Sequence, residues 1–221
     1  MTVWSFSSIK TFQQCPRKYY HLKVVRDIKE PETEAMRYGT EFHSAAEHYV
    51  LNDTPLPAHF MFAKSALDSL KNRPGRKLCE VEMGLTQDLK PCAFDAPEVW
   101  WRGIADLVIL GDDGTARILD YKTGASVKYA DTGQLELMAL AVFKHFPEVT
   151  KVKAGLLFVV AKSFPKAAYS REDEPKLWRK WLADYDRLDA AYRSNTWNPK
   201  TSGLCKKHCP VLSCHHNGRS R

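Results

Sequence analysis

The chain has 221 residues, 44% hydrophobic and 27% charged, a composition ordinary for a soluble globular protein with one full domain and a real core. No apolar run is long enough to span a bilayer, and the opening MTVWSFSSIK lacks the charged-then-apolar pattern of a secretory signal, so a cytoplasmic protein is expected rather than a membrane or secreted one. A net charge of +7 biases the chain toward a polyanionic partner. The six cysteines, in such a compartment, point to metal rather than to disulfides.

Taken in order, residues 5–25 read SFSSIKTFQQCPRKYYHLKVV. Ser7 or Ser8 can cap a short helix with Ile9 and Phe12 on one face. Cys15-Pro16 ends it, because proline disfavours a helical residue before it. Residues 34–51 predict a helix, with His43 and Glu47 one turn apart on one face. Residues 58–72 predict a second amphipathic helix burying Phe62, Ala66, Leu67 and Leu70. Residues 77–85 alternate as a strand. Glu80 and Glu82 share one face, and Cys79, Val81 and Met83 the other. Residues 90–99 read as a turn region.

The stretch from Gly103 to Gly124, GIADLVILGDDGTARILDYKTG, reads as a hairpin. Its apolar strands flank the turn Gly111-Asp112-Asp113-Gly114, whose glycines permit unusual backbone angles. Asp106 and Asp120 interrupt the apolar runs, and period two sets Lys122 on the same face as Asp120. A charge inside an apolar strand costs free energy unless it is paired or binds a metal. Two acids and a lysine on one hairpin suggest a divalent metal site beside a cationic catalytic group.

Beyond it, residues 129–146 predict a helix with Gln134 near its start and Leu135, Met138, Ala139, Val142 and Phe146 as its apolar stripe. Residues 154–161 are continuously apolar, as a strand buried on both faces would be. Residues 162–174, with two prolines and many charges, read as a loop. Residues 177–195 predict a helix whose aromatic residues serve the core. In the tail, three residues separate Cys205 from Cys209 and four separate Cys209 from Cys214. Thiolates so clustered select zinc or an iron–sulfur cluster, and Cys15 can supply a fourth. Cys79 and Cys92 lack metal-like partners.

In order and spacing, these residues resemble the PD-(D/E)xK nuclease superfamily in its RecB-like branch, including CRISPR-associated and bacteriophage exonucleases with an iron–sulfur cluster. Asp106 matches the first acid, and Asp120 with Lys122 the D-x-K. The step from Gly39 to His43 matches G-x-x-x-H, and Cys15-Pro-Arg-Lys-Tyr-Tyr matches the cluster-bearing opening. The resemblance implies one restriction-endonuclease-like α/β domain over residues 1–221, a central mixed sheet flanked by helices. A metal cluster would join residues 1–25 to residues 200–221. It implies a divalent-metal-dependent DNA exonuclease of recombination, repair or phage DNA processing, acting on single-stranded or end-containing substrate.

By the same resemblance Asp106, Asp120, His43 and the Tyr121 carbonyl would hold Mg²⁺ or Mn²⁺. Lys122 and Gln134 would act on the attacking water or the phosphate, and Glu80 or Glu82 would assist. Lys10, Arg17, Lys18, Lys206 and Lys207 would track phosphates. Two departures stand out. Relatives carry tyrosine where this chain has Met138, and they space the tail cysteines by two and five residues. A [4Fe–4S] cluster on Cys15, Cys205, Cys209 and Cys214 is expected, with Zn²⁺ as the alternative. The competing reading is a non-catalytic DNA-binding or scaffold subunit that keeps the fold.

Overall fold

The computed structural model describes residues 2–128 and 130–219. The chain divides into two compact units, one spanning Thr33–Trp178 and one made from its two ends, up to Glu32 and from Arg179 onward.

The unit Thr33–Trp178 holds a six-stranded mixed sheet of β1 (Arg76–Leu85), β2 (Pro91–Cys92), β3 (Trp101–Leu110), β4 (Thr115–Lys122), β5 (Lys151–Phe158) and β6 (Lys166–Ser170). The strand order is β2-β1-β3-β4-β5-β6, and the β4–β5 pair is parallel while its neighbours are antiparallel. A parallel neighbour needs a crossover, which α5 (Gly133–His145) supplies. The β3–β4 turn is built as its composition dictates. Gly114 adopts φ +70, and the Asp113 carboxylate accepts the Thr115 N–H at 3.0 Å.

One face of the sheet packs against α3 (Glu34–Asn52) and α4 (Lys64–Lys71). Phe42, Ala46, Tyr49 and Val50 recur at helical spacing on α3 and bury against Leu107, Ile109, Leu119 and Tyr121 of β3 and β4. Thr33 caps α3 by accepting the Met36 N–H at 3.2 Å. On α5 the residues from Leu137 to Phe143 are all buried, so burial runs right round the helix rather than along one stripe.

Several expectations need correction. Residues 58–72 are not one α-helix: Ala58–Ala63 is a 3₁₀ turn that precedes α4. Three residues per turn put Phe60 and Ala63 in register and leave Phe62 45% exposed. The expected loop at 162–174 contains β6 and a further 3₁₀ turn, Arg171–Asp173. An edge strand has one neighbour and little to bury, so its sequence carries a weak apolar signal. The expected strand 154–161 lies at Lys151–Phe158, because its pairing with Thr115–Lys122 of β4 recruits Lys151 and Lys153 despite their charge. The helix expected over 129–146 begins at Gly133, and its proposed first residue, Tyr129, lies outside the described residues.

The other unit contains α1 (Phe6–Gln14), α2 (Pro16–Tyr19) and most of α6 (Glu174–Ser194). The cap of α1 is Ser5 rather than Ser7 or Ser8. Ser5 and Ser8 exchange side-chain hydrogen bonds with each other's backbone N–H in a capping box. Cys15 is extended between α1 and α2, with Pro16 at the first position of α2. A π-helical segment, Tyr20–Val25, follows and ends at Arg26 with φ +59. Among the described residues no helix is long and apolar enough to cross a membrane.

Candidate functional site

The hairpin strands part where the acids sit. Their pairing runs from Leu110–Ala116 to Leu107–Leu119 and stops. In the gap beyond, Asp106 Oδ2 accepts the Tyr121 N–H at 2.6 Å. The orphaned backbone donor is thereby satisfied, and the other carboxylate oxygen of Asp106 is left for another partner.

Two groups of side chains adjoin this gap. In the first, His43 of α3 places Nδ1 3.5 Å from Asp106 Oδ1 and 3.9 Å from Glu80 Oε1. Ligand atoms of these three residues all lie within 4.8 Å of one another. His43 Nε2 lies 3.2 Å from the Tyr121 carbonyl, an acceptor, so the proton sits on Nε2 and the Nδ1 lone pair of the neutral ring faces two carboxylates. Such a contact is repulsive unless a proton on one of the partners or a metal cation lies between them. Burial lowers the His43 pKa and so disfavours placing that proton on His43. In the second group, Asp120, Lys122 and Gln134 close a ring. Lys122 Nζ lies 2.6 Å from Asp120 Oδ2 and donates to Gln134 Oε1 at 3.2 Å, while Gln134 Nε2 donates to Asp120 Oδ1 at 2.5 Å.

Both aspartates are buried, Asp106 at 7% exposure and Asp120 at 4%. Burial, and then the charge of Asp120, raises the pKa of Asp106 well above the usual carboxylate range. Glu80 is raised as well, mainly by burial and then by Glu47 and Asp120. Aside from Asp120 Oδ2, in charge contact with Lys122, these acids meet no cationic lysine or arginine among the described residues. A divalent cation with oxygen and nitrogen ligands fits the convergent set of the buried Asp106, the half-buried Glu80 and the imidazole lone pair of His43, with the buried Asp120 adjoining it.

The geometry brings together His43, Glu80, Asp106, Asp120, Lys122 and Gln134, and it separates Glu80 from Glu82. Glu80 is turned in by a left-handed backbone, φ +47 inside β1, whereas Glu82 is exposed. Glutamate seldom adopts that conformation, and nothing in its sequence signals it. Glu80→Gln is expected to weaken Mg²⁺ affinity by about tenfold or more, as loss of a ligand does, and Glu82→Gln to change it less than twofold. Calorimetric titration of both variants checks this, and equal effects would reject the role of Glu80. The Tyr121 carbonyl is committed to His43. Met138 packs instead of binding: a Cβ added to Gly103 would meet its terminal methyl at 2.4 Å.

Cys15, Cys205, Cys209 and Cys214 line one small cavity with Arg17, and all four thiols are free. The Lys200 N–H points to Cys15 Sγ at 3.4 Å and the Ser202 N–H to Cys205 Sγ at 3.5 Å. Sequence reasoning passed over Asn217, which is 1% exposed. Its Nδ2 donates to the Cys209 carbonyl at 3.0 Å and the Val211 carbonyl at 2.9 Å, clamping the cysteine loop. The Asn217-Gly218 step, a common turn pair, was the available signal. Of the basic residues, Lys18 pairs with Glu30 at 3.0 Å, Lys10 lies over the Phe6 ring, and Lys206 and Lys207 are exposed.

A restriction-endonuclease-like mixed sheet, with buried acids and a lysine at the parting of a hairpin, defines a nuclease. A model of the PD-(D/E)XK nuclease superfamily matches residues 3–214, and the chain belongs to that superfamily. Among solved structures, a "putative exonuclease" from Eubacterium rectale aligns with TM-score 0.55 and 14% identity over 92% of this chain and 86% of that one, a likeness of fold. SSO0001 aligns over 98% of this chain and 88% of that one with 13% identity and TM-score 0.44. No curated protein matches significantly.

Proposed function

We propose that this protein is a divalent-metal-dependent DNA exonuclease, acting as one nuclease domain over residues 1–221 in the cytoplasm, in recombination, repair or phage DNA processing. The observation that carries the reading is the Asp120–Lys122–Gln134 ring set beside the convergent His43, Glu80 and Asp106. All three residues whose loss would mark a non-catalytic subunit, Asp106, Asp120 and Lys122, are present.

His43, Glu80, Asp106 and Asp120 would hold Mg²⁺ or Mn²⁺. When bound, such an ion would neutralise phosphate charge and make water a better nucleophile. Lys122 is held at the site by Asp120 and Gln134, so its ammonium is preorganised against the charge that develops on the phosphate. Gln134 has an amide free to exchange its bond to Asp120 for one to the attacking water or a phosphate oxygen. Asp106, anchored on the Tyr121 N–H through one oxygen, would offer its second oxygen to the ion. His43, locked by its bond to the Tyr121 carbonyl, presents nitrogen to the same place.

End-labelled single- and double-stranded DNA, linear and circular, tests the reading. Mononucleotide or short-oligonucleotide release from linear DNA with Mg²⁺ or Mn²⁺, and resistance of circular DNA, is expected. Cleavage of circular DNA at the linear rate would make it an endonuclease. A nitrogen ligand favours Mn²⁺. His43→Ala should therefore lower activity by about 10- to 100-fold and shift the Mn²⁺/Mg²⁺ activity ratio toward Mg²⁺. An unaltered rate and ratio would return His43 to a structural role.

Cys15, Cys205, Cys209 and Cys214 would hold a [4Fe–4S] cluster. Zn²⁺ in the same thiolate set is the alternative. The two N–H groups at the Cys15 and Cys205 sulfurs suit thiolate ligands.

A further inference from the structure

A groove of about 410 Å³ lies wholly in the unit made from the chain ends, lined by Arg17, Tyr20, His21, Asn195, Trp197 and Asn198 among others. Its volume falls in the range of small-ligand sites, about 300–1,000 Å³. Three local irregularities converge on it. Tyr20 and His21 open the π-helical segment, a rare conformation that recurs at functional positions. Asn195 is held at φ +47 and accepts the Trp197 indole N–H at 2.8 Å. Arg17 keeps a buried Nε without a hydrogen-bond partner and pairs with no carboxylate among the described residues.

The aromatic arrangement sets the groove apart from a plain core. Trp197 is fixed from within by Tyr19, nearly parallel at 5.9 Å, and by the edge of Tyr192 at 4.9 Å. Tyr20 leans on the same indole at 5.4 Å and 33° but is only half-buried. The result is an aromatic wall beside a guanidinium that pairs with no carboxylate among the described residues. Amide groups from Asn195 and Asn198 line the rest, with His21 held through Nδ1 by Asp27 at 3.0 Å.

We propose that this groove binds one unpaired nucleotide of the DNA substrate, its base against the Tyr20–Trp197 wall and its phosphate on Arg17. The chemistry matches on each side. Aromatic rings take any base by stacking. A planar guanidinium takes a phosphate bidentately. The amides and His21 provide donors and acceptors for base edge and sugar. A base paired in duplex keeps its faces stacked on its neighbours, so only a single strand can fill the groove. The proposal rests on the nuclease reading for its substrate, and it assigns that substrate an unpaired segment.

The test uses wild-type protein, without added Mg²⁺ or Mn²⁺, and a thymidine-rich single strand carrying 5-iododeoxyuridine. Irradiation should link the base to Tyr20 or Trp197, mapped by mass spectrometry. By fluorescence anisotropy the single strand should bind more tightly than the same sequence as duplex. Tyr20→Leu, which keeps apolar packing but removes the ring, should weaken single-strand binding about 5- to 100-fold. Arg17→Gln should lower the salt dependence by about one counterion. Cross-links confined to other residues, or both variants within twofold of wild type, would overturn the proposal. Cross-linking at Tyr20 by a protein that never cleaves DNA would sink the nuclease reading alone. Cleavage without that cross-link would sink the groove alone.

Discussion

Asp120→Ala should reduce metal-dependent DNA cleavage by about a thousandfold or more, the loss expected when several kcal/mol of charge stabilisation is removed. The carboxylate is almost fully buried, it balances Lys122, and it orients Gln134. Its removal would take away a proposed ion ligand and also free the ammonium to drift. Lys122→Ala should cost about 10² to 10³, because the acids remain and only the positioned cation is lost. Both variants should melt cooperatively, since the adjoining packing of Leu119 and Tyr121 on α3 does not use these side chains. Initial rates on end-labelled DNA, read beside calorimetric melting, provide the check. A full-rate Asp120→Ala enzyme would reject the site. A partially active Asp120→Asn would separate geometry from charge, because asparagine can still pair with Gln134.

Cys15→Ala should abolish cluster assembly and sharply destabilise the unit built from the chain ends. Cys15 and Cys214 stand nearly a chain length apart yet share a cavity, so a bound cluster closes a very long loop and constrains the unfolded chain strongly. Metal binding of this kind is folding free energy, on the order of 10 kcal/mol in small thiolate modules. Prepared without oxygen, wild type should be brown, with iron and acid-labile sulfide in equal amounts. Cys15→Ala should be colourless and melt several degrees lower, with the ligands of the other site untouched. Stoichiometric zinc without iron would overturn the cluster. Unaltered melting of metal-free Cys15→Ala would overturn the staple itself.

The amino-acid sequence by itself determined the elements whose signals are local. The hairpin was legible in its apolar runs and paired glycines, α3 in its 3.6-residue period, the break at Cys15 in the proline after it. Asp106, Asp120 and Lys122 stood out because charge inside an apolar strand needs a reason. Tertiary structure decided what depends on partners distant in the chain. Glu80 rather than Glu82 meets His43 because a left-handed kink in β1 turns it inward, and no side-chain pattern encodes that kink. Gln134 joins Asp120 because the β4–α5–β5 crossover returns α5 across the strand that carries it. β5 takes Lys151 and Lys153 because its parallel partner sets the register, and β6 forms because an open edge can be paired by a sequence with little apolar character. The lone pair of His43 faces two acids only once α3 has packed on the hairpin, since a packing face is visible in periodicity but the atom it delivers to a gap is not.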